Sequence, residues 1–405
     1  LEDFIASRAG ELHPRTIDDW LYYLAPTIPD SGLVVHRKNM STGDDEVVFP
    51  DEQRAGTQYT FDQDLTKAAH MVPEGQFRPR LNVIYDDLQS GTQTVIGRDP
   101  RPFPFRPNEF TRPYVSSDGT GIAFQGSLLD QELIEDTFTV YIHDVAAGTN
   151  QRCTFEADNF FPSFSSDNQH LLFISNREGT FKWEYYALPV NGMVAEVDTI
   201  EGALVKLTNS GGLFGSESIP PEPRPYVWNP NPAFPVMAVI GNNERLWLVP
   251  ADGGGDIVVD IPGKVGDMTW SSDGTQLAVT SFDGDLALGS IHLVSPSGNP
   301  VLAHEGSERD RLGAPEWSPD NEFLVYTVDR SGDIWYEVID IEGGSLLTKP
   351  ARITPAWVAG DAADYGPPLM SLRSAFRPGT LTAYLFFLDR STPRVRSLDL
   401  TGINP

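Results

Sequence analysis

The feature that most constrains this chain is a short motif that recurs along it. An aromatic or β-branched residue is followed by two small or polar residues, then Asp, Asn or Gly, then an alternating apolar run. The clear copies are Phe164-Ser165-Ser166-Asp167-Asn168, Trp270-Ser271-Ser272-Asp273-Gly274 and Trp317-Ser318-Pro319-Asp320-Asn321, and Val115-Ser116-Ser117-Asp118-Gly119 differs only in its first residue. Degenerate copies begin at Phe61, Trp228 and Phe376. An internal repeat fixes architecture before any single element does, because each unit must bury its apolar face against the next.

The motif is a turn with a mechanism. Pro presets φ, Asp accepts hydrogen bonds from its own backbone, and Gly or Asn tolerates positive φ. After each clear turn a second strand follows, as in Ile122-Ala123-Phe124, Leu171-Leu172-Phe173-Ile174 and Phe323-Leu324-Val325-Tyr326. A third strand comes next (Thr139-Val140-Tyr141-Ile142, Leu246-Trp247-Leu248-Val249), and a second Gly-containing turn such as Ala251-Asp252-Gly253-Gly254 leads into a fourth. Successive heads lie 42 to 64 residues apart, the size of a four-stranded propeller blade with variable loops. The sequence therefore predicts an all-β chain: a seven-bladed β-propeller of four-stranded antiparallel blades, with each head aromatic packed between neighbouring blades.

Several units end in a short basic-apolar-Thr tag, Arg152-Cys153-Thr154, Lys206-Leu207-Thr208 and Arg352-Ile353-Thr354. Together with the heads and the mid-blade segments Ser175-Asn176-Arg177 and Asp329-Arg330-Ser331-Gly332, this resembles the TolB-like propeller repeat over roughly residues 57 to 402. The resemblance implies the fold and leaves the function open. No counterpart of TolB's separate α/β domain is legible, so its role in the cell envelope is not carried over. The expected division is an arm over 1–31 with a short helix, Thr16 to Leu24, and a propeller over 32–405. The last unit supplies three strands, so a strand from Gly32–His36 or Glu46–Phe49 is expected to close it.

Charge and composition exclude several partners. With 57 acidic against 29 basic residues the formal net charge is -28, which repels phosphate backbones and anionic membranes. No nucleic-acid partner is expected, nor membrane insertion, since no apolar run approaches the roughly 20 residues a spanning helix needs. The acid-rich composition is first that of a well-solvated surface, and also fits adaptation to a saline habitat. Cys153 is the single cysteine, so an intrachain disulfide is impossible and a buried, inert thiol is expected. The chain begins at Leu1 rather than Met, which suggests a processed or trimmed end.

Catalytic signatures are sparse. The peptidases built on related propellers need a Gly-x-Ser-x-Gly elbow, and Gly215-Ser216-Glu217-Ser218 fails that pattern. The seven His are dispersed without metal-ligand spacing, and His143 and His292 occupy similar third-strand positions, as scaffold residues would. No metal or other cofactor is expected. The carboxylate-rich turns Asp283-Gly284-Asp285, Asp252 to Asp256 and Asp44-Asp45-Glu46 suit structural calcium only if their carboxylates are not already capping backbone amides.

Long loops entering the inner strands, Pro100 to Thr111, Ser210 to Pro223 and Pro355 to Ser371, share one face and carry Phe103, Phe105 and Tyr365. At the strand entrances stand Arg112, Asp267, Glu316 and Arg373. These seven residues form the expected binding site, suited to a protein partner or a polar or carbohydrate ligand, because loops on rigid scaffolds often carry function. Two readings stay open. One is an extracytoplasmic, non-catalytic binding or scaffold propeller; the other is a carbohydrate-active enzyme, lyase or hydrolase, at the channel mouth. A His or Tyr converging on an Arg would favour the second.

Overall fold

The computed structural model describes residues 15–17, 20–26, 33–39, 41–48, 57–62, 64, 66–74, 80–99, 113–126, 138–179, 182–200, 202–210, 226–241, 244–284, 288–308, 310–318, 321–330, 333–341, 351–352, 373–376, 382–389 and 392–399. Among them every regular element is a strand, and the strands form eight antiparallel sheets. The sheets span 15–47, 57–99, 114–152, 159–206, 226–259, 264–308, 311–352 and 373–399, and are numbered first to eighth below. In each the strands follow one another in sequence order, the meander expected of a blade; in the fourth, Val205–Lys206 also pairs with the third strand. The chain divides into two compact units: 1–47 with 244–246 and 258–405, and 48–243 with 247–257.

The clear repeat heads build one and the same turn. The first Ser donates its N–H to the carbonyl five residues on: Ser116 to Gly121 (2.8 Å), Ser165 to His170 (2.9 Å), Ser271 to Gln276 (2.8 Å) and Ser318 to Phe323 (2.9 Å). Its hydroxyl accepts the returning N–H at 2.9 to 3.0 Å in all four. The last residue of each motif has positive φ, +68° at Gly119, +56° at Asn168, +69° at Gly274 and +61° at Asn321. That conformation explains why only Gly and Asn occur there. In the degenerate head at Phe61, Asp62 takes the Ser role through its carboxylate, accepting N–H bonds from Thr66 and Lys67.

The tag at the end of a unit has an equally local cause. Leu207 N–H bonds Tyr185 C=O, and Tyr185 N–H returns to Thr208 Oγ1, both at 2.9 Å. Cys153, Val140 and Thr154 repeat the pair at the same distances. The Thr hydroxyl thus satisfies a buried N–H at the start of the third strand, which would otherwise be orphaned.

The core lies between neighbouring sheets. Phe164, the head of the fourth sheet, packs on Ala123, Val140 and Ile142 of the third. Trp317, the head of the seventh sheet, packs on Ala278 and Ile291 of the sixth and donates its indole N–H to Thr269 C=O at 3.2 Å. These two head aromatics therefore sit between neighbouring sheets, and burying each contributes about 2–3 kcal/mol.

One expectation fails in the first sheet, and one of the two expected closing strands pairs locally on both sides. The helix over Thr16 to Leu24 is absent, because Arg15–Ile17 and Trp20–Pro26 are paired strands. The run Trp20-Leu21-Tyr22-Tyr23-Leu24 is rich in aromatics, which favour a pleated sheet. The strand Leu33–Asn39, which includes most of the expected donor, has Trp20–Pro26 on one side and Asp45–Val47 on the other. A local hairpin closes at smaller entropic cost than pairing with residues more than 300 positions away. Among the described residues the eighth sheet consists of its own three strands, Arg373–Phe376, Thr382–Asp389 and Thr392–Asp399.

Candidate functional site

Three of the seven expected site residues lie on the first strands of successive sheets in one unit. Asp267 is on Lys264–Trp270, Glu316 on Arg311–Trp317, and Arg373 begins Arg373–Phe376 opposite Phe386. Phe103, Phe105, Arg112 and Tyr365 lie outside the described residues, as do almost all residues of the three long loops.

Backbone irregularity positions the two acids. The register shifts between Val265 and Met268, and again between Gly313 and Glu316. Equivalent first-strand shifts occur at Thr57/Thr60 and Phe160/Ser163. A bulge re-aims the side chain at the extra residue, and Asp267 is such a residue. Its N–H donates to Thr280 Oγ1 (2.9 Å), and that hydroxyl donates to Asp267 C=O (3.2 Å). The Asp267 carboxylate lies against the next sheet's first strand: a Cβ built on Gly313 would stand 3.1 Å from its Oδ2. Thr327 Oγ1 donates to Gly313 C=O (2.9 Å), fixing that strand in turn. Both acids are half-buried. The bulge is a tertiary feature, while the Gly-Asp and Gly-Ala-Pro steps at 266–267 and 313–315 are its legible trace.

The mid-blade Arg proves to be an internal tie. Arg330 donates to Asp310 (3.2 Å) and to Glu337, and lies over the Trp335 ring at 5.7 Å. Tyr326, fully buried, donates its hydroxyl to Glu337 (2.7 Å), and the His304 ring tilts against Tyr326 at 5.4 Å. Burial disfavours the Arg330 cation, yet Glu337 and Asp310 outweigh it and hold its pKa above the usual value. Burial pushes the Tyr326 hydroxyl far above its ordinary range. Arg177 repeats the arrangement in the fourth sheet, bonding Asn159 (3.1 Å) and Asp198 (3.4 Å) and lying over Tyr186 at 4.9 Å. Such an Arg–aromatic–carboxylate tie is the physical content of the mid-blade segments seen in the sequence.

Other reactive groups are similarly engaged. His143 Nδ1 meets Asn150 Oδ1 at 2.9 Å, and burial lowers the pKa of His143, His292 and His304. The buried Cys153 thiol is pushed up to about 12 by burial, the inert state expected for it. His70 Nδ1 lies 2.9 Å from Asp86 Oδ2, and both side chains are completely buried in the second sheet. A His–Asp pair orients an imidazole for base catalysis only where substrate can reach it. Among the acidic turns, Asp252 accepts Gly254 N–H (3.0 Å) and Asp44 accepts the Thr42 hydroxyl (2.6 Å). Among the described residues no three His, Cys, Asp or Glu side chains stand close enough together to hold a metal ion, and no helix is long and apolar enough to cross a membrane.

No protein-family model matches the sequence, and no curated protein matches it. Solved structures do. A prolyl endopeptidase aligns over 96% of this chain and 57% of its own, with TM-score 0.52 and 13% identity. The oligogalacturonate lyase of Vibrio parahaemolyticus aligns over 96% and 90%, with TM-score 0.51 and 12% identity. TolB of Acinetobacter baumannii aligns over 80% and 61%, with TM-score 0.36 and 14% identity. This chain thus spans about three-fifths of the length of the endopeptidase and of TolB. At these identities the likeness to the endopeptidase and the lyase speaks for the fold alone, and it agrees with the repeat and the sheets: this chain has the β-propeller fold.

Proposed function

We propose that the chain is a non-catalytic binding or scaffold propeller. Its ligand, a polar molecule or a segment of a protein partner, is held at the first strands that carry Asp267, Glu316 and Arg373. One observation carries this reading: four groups able to do proton-transfer or nucleophilic chemistry, or to stabilise charge, are spent on the scaffold. Tyr326 is bound to Glu337, Arg330 to two carboxylates, His143 to Asn150, and Cys153 is buried. Asp267 and Glu316 are half-buried acids set by bulges on the first strands of adjacent sheets, where a ligand's polar groups could be met. Phe103, Phe105, Arg112 and Tyr365 belong to the same proposal, as does an extracytoplasmic location.

The test is calorimetric titration of the full chain with acidic, basic and neutral peptides and with oligogalacturonate, beside the double variant Asp267→Asn/Glu316→Gln. A ligand bound by the parent, recovered intact and lost by the variant supports the proposal. A ligand bound equally by both removes the site. Cleavage of the ligand during incubation replaces binding by the enzymatic reading.

A further inference from the structure

Among the described residues seven large apolar side chains are exposed, and three of them, Phe155 (43%), Val194 (58%) and Ile200 (48%), sit on chain segments joined to one another. The outer strands Thr149–Arg152 and Val194–Ala195 of the third and fourth sheets are tied through one side chain. Gln151 Nε2 donates to Ala195 C=O (2.6 Å), and Ala195 N–H returns to Gln151 Oε1 (3.0 Å). Asp198, whose side chain is fully buried, accepts the N–H groups of Phe155 (3.0 Å) and Glu156 (3.4 Å), and its own N–H bonds Cys153 C=O (3.1 Å). Ile200 closes the adjoining turn through Val197 C=O (3.1 Å). Ala157 holds φ at +60°, a left-handed conformation fixed by Asn159 Nδ2, which donates to Glu156 and Ala157 C=O at 2.9 and 3.0 Å. Arg152 lies over the Phe155 ring at 4.4 Å and sets its plane.

An aromatic side chain left in water on a backbone so fully determined has the character of an interface anchor, pre-organised so that little entropy is lost on contact. We propose that this rim, Phe155 with Val194 and Ile200, is a docking surface for a protein segment that presents apolar residues flanked by Lys or Arg. Charge decides the occupant. Exposed Glu156 and Glu196, next to Phe155 and near Val194 in the chain, outnumber the one cation at the Phe155 ring, Arg152, and the chain carries a net charge of -28. A second copy would bring the same acids against these, whereas a basic segment is attracted to them. This surface is built from other residues than the first-strand site and stands whether or not that site binds.

The probe is a 14-residue amphipathic peptide of Leu and Lys, compared with one in which Ser replaces each Leu. Both are titrated by fluorescence anisotropy against the full chain, against Phe155→Ser/Ile200→Ser, and against Leu302→Ser, which alters an exposed apolar residue elsewhere. The Leu/Lys peptide should bind the parent at least about tenfold more tightly than the Ser/Lys peptide. The double variant should lose most of that difference, Leu302→Ser should keep it, and added salt should weaken binding. Equal binding of the two peptides, or undiminished binding by the double variant with its unfolding midpoint unchanged, overturns the proposal. So does self-association of the parent that Phe155→Ser abolishes, since the occupant is then a second copy.

Discussion

Replacing Asn321 by Gly isolates one tie between blades. Asn321 closes the head turn of the seventh sheet at φ +61°, and its Oδ1 accepts both the N–H (2.9 Å) and the hydroxyl (3.1 Å) of Ser272, in the head turn of the sixth. Asn168 does the same for Ser117 in the other unit, at 3.3 and 3.2 Å. Gly keeps the left-handed turn without strain, so Asn321→Gly removes the tie and leaves the turn. Two partly solvated hydrogen bonds contribute about 1–2 kcal/mol together. Gly's greater freedom in the unfolded chain costs about 0.5–1 kcal/mol, and relief of left-handed strain offsets a similar amount. At about 2.1 cal/mol/K per residue of unfolding entropy, a chain of this length should lose about 1–2 °C in Tm. Asn321→Ala loses the tie and must also hold a left-handed Ala, so it should lose about 1–2 kcal/mol more. Denaturant and thermal unfolding followed by tryptophan fluorescence read both, since Trp270 and Trp317 adjoin the two turns. Combining Ser272→Ala with Asn321→Gly should cost less than the sum of the two changes, because they share one hydrogen bond. An Asn321→Gly protein as stable as the parent would refute the tie, and one no more stable than Asn321→Ala would refute the left-handed cost.

Two further outcomes follow from the same packing. Thr154→Val leaves the buried Val140 N–H without its acceptor and should cost about 1–3 kcal/mol, while Thr154→Ser should restore most of the stability; equal unfolding midpoints for the Val and Ser variants would show that the hydroxyl is dispensable. His292 has its folded pKa lowered by burial, below the value of about 6.5 expected unfolded. The unfolded chain therefore takes up the proton first, and the His292 contribution is full above about pH 6.5 and lost as pH falls toward the folded pKa. His292→Gln should flatten the decline of the urea midpoint between about pH 8 and about pH 5. The depressed carboxylates of Asp118 and Asp273 lose their contribution only as pH falls below their unfolded value of 3.8, so they leave that window clear. A slope unchanged by the substitution would place the titration elsewhere.

The repeat made the blades legible because its residues act locally. Ser271 and Asp273 bond within their own turn, Gly274 meets a φ of +69°, and Thr154 and Thr208 each reach one backbone N–H. The N-terminal segment was misread because Trp20 to Leu24 is apolar without a decisive period, and Leu33–Asn39 carries no mark of which strand it will pair with. The mid-blade Arg residues were visible as part of the resemblance, but their partners were not. Asp310 and Asp198 lie 20 and 21 positions away and are joined to their Arg only when the strands fold back.

By itself the sequence determined the all-β meander, the turn chemistry of the four clear heads, the place of Phe164 and Trp317 between sheets and the buried Cys153. All of these depend on residues whose conformational preferences act over a few positions or recur at a fixed period. Tertiary structure alone decided that the first residues build a sheet of their own, that Arg177 and Arg330 are spent inside the scaffold, and that bulges turn Asp267 toward the neighbouring strand. It also decided that Phe155 is left in solvent. Each of those depends on which distant strand comes alongside, and pairing is chosen by the burial of the whole sheet rather than by any residue in it.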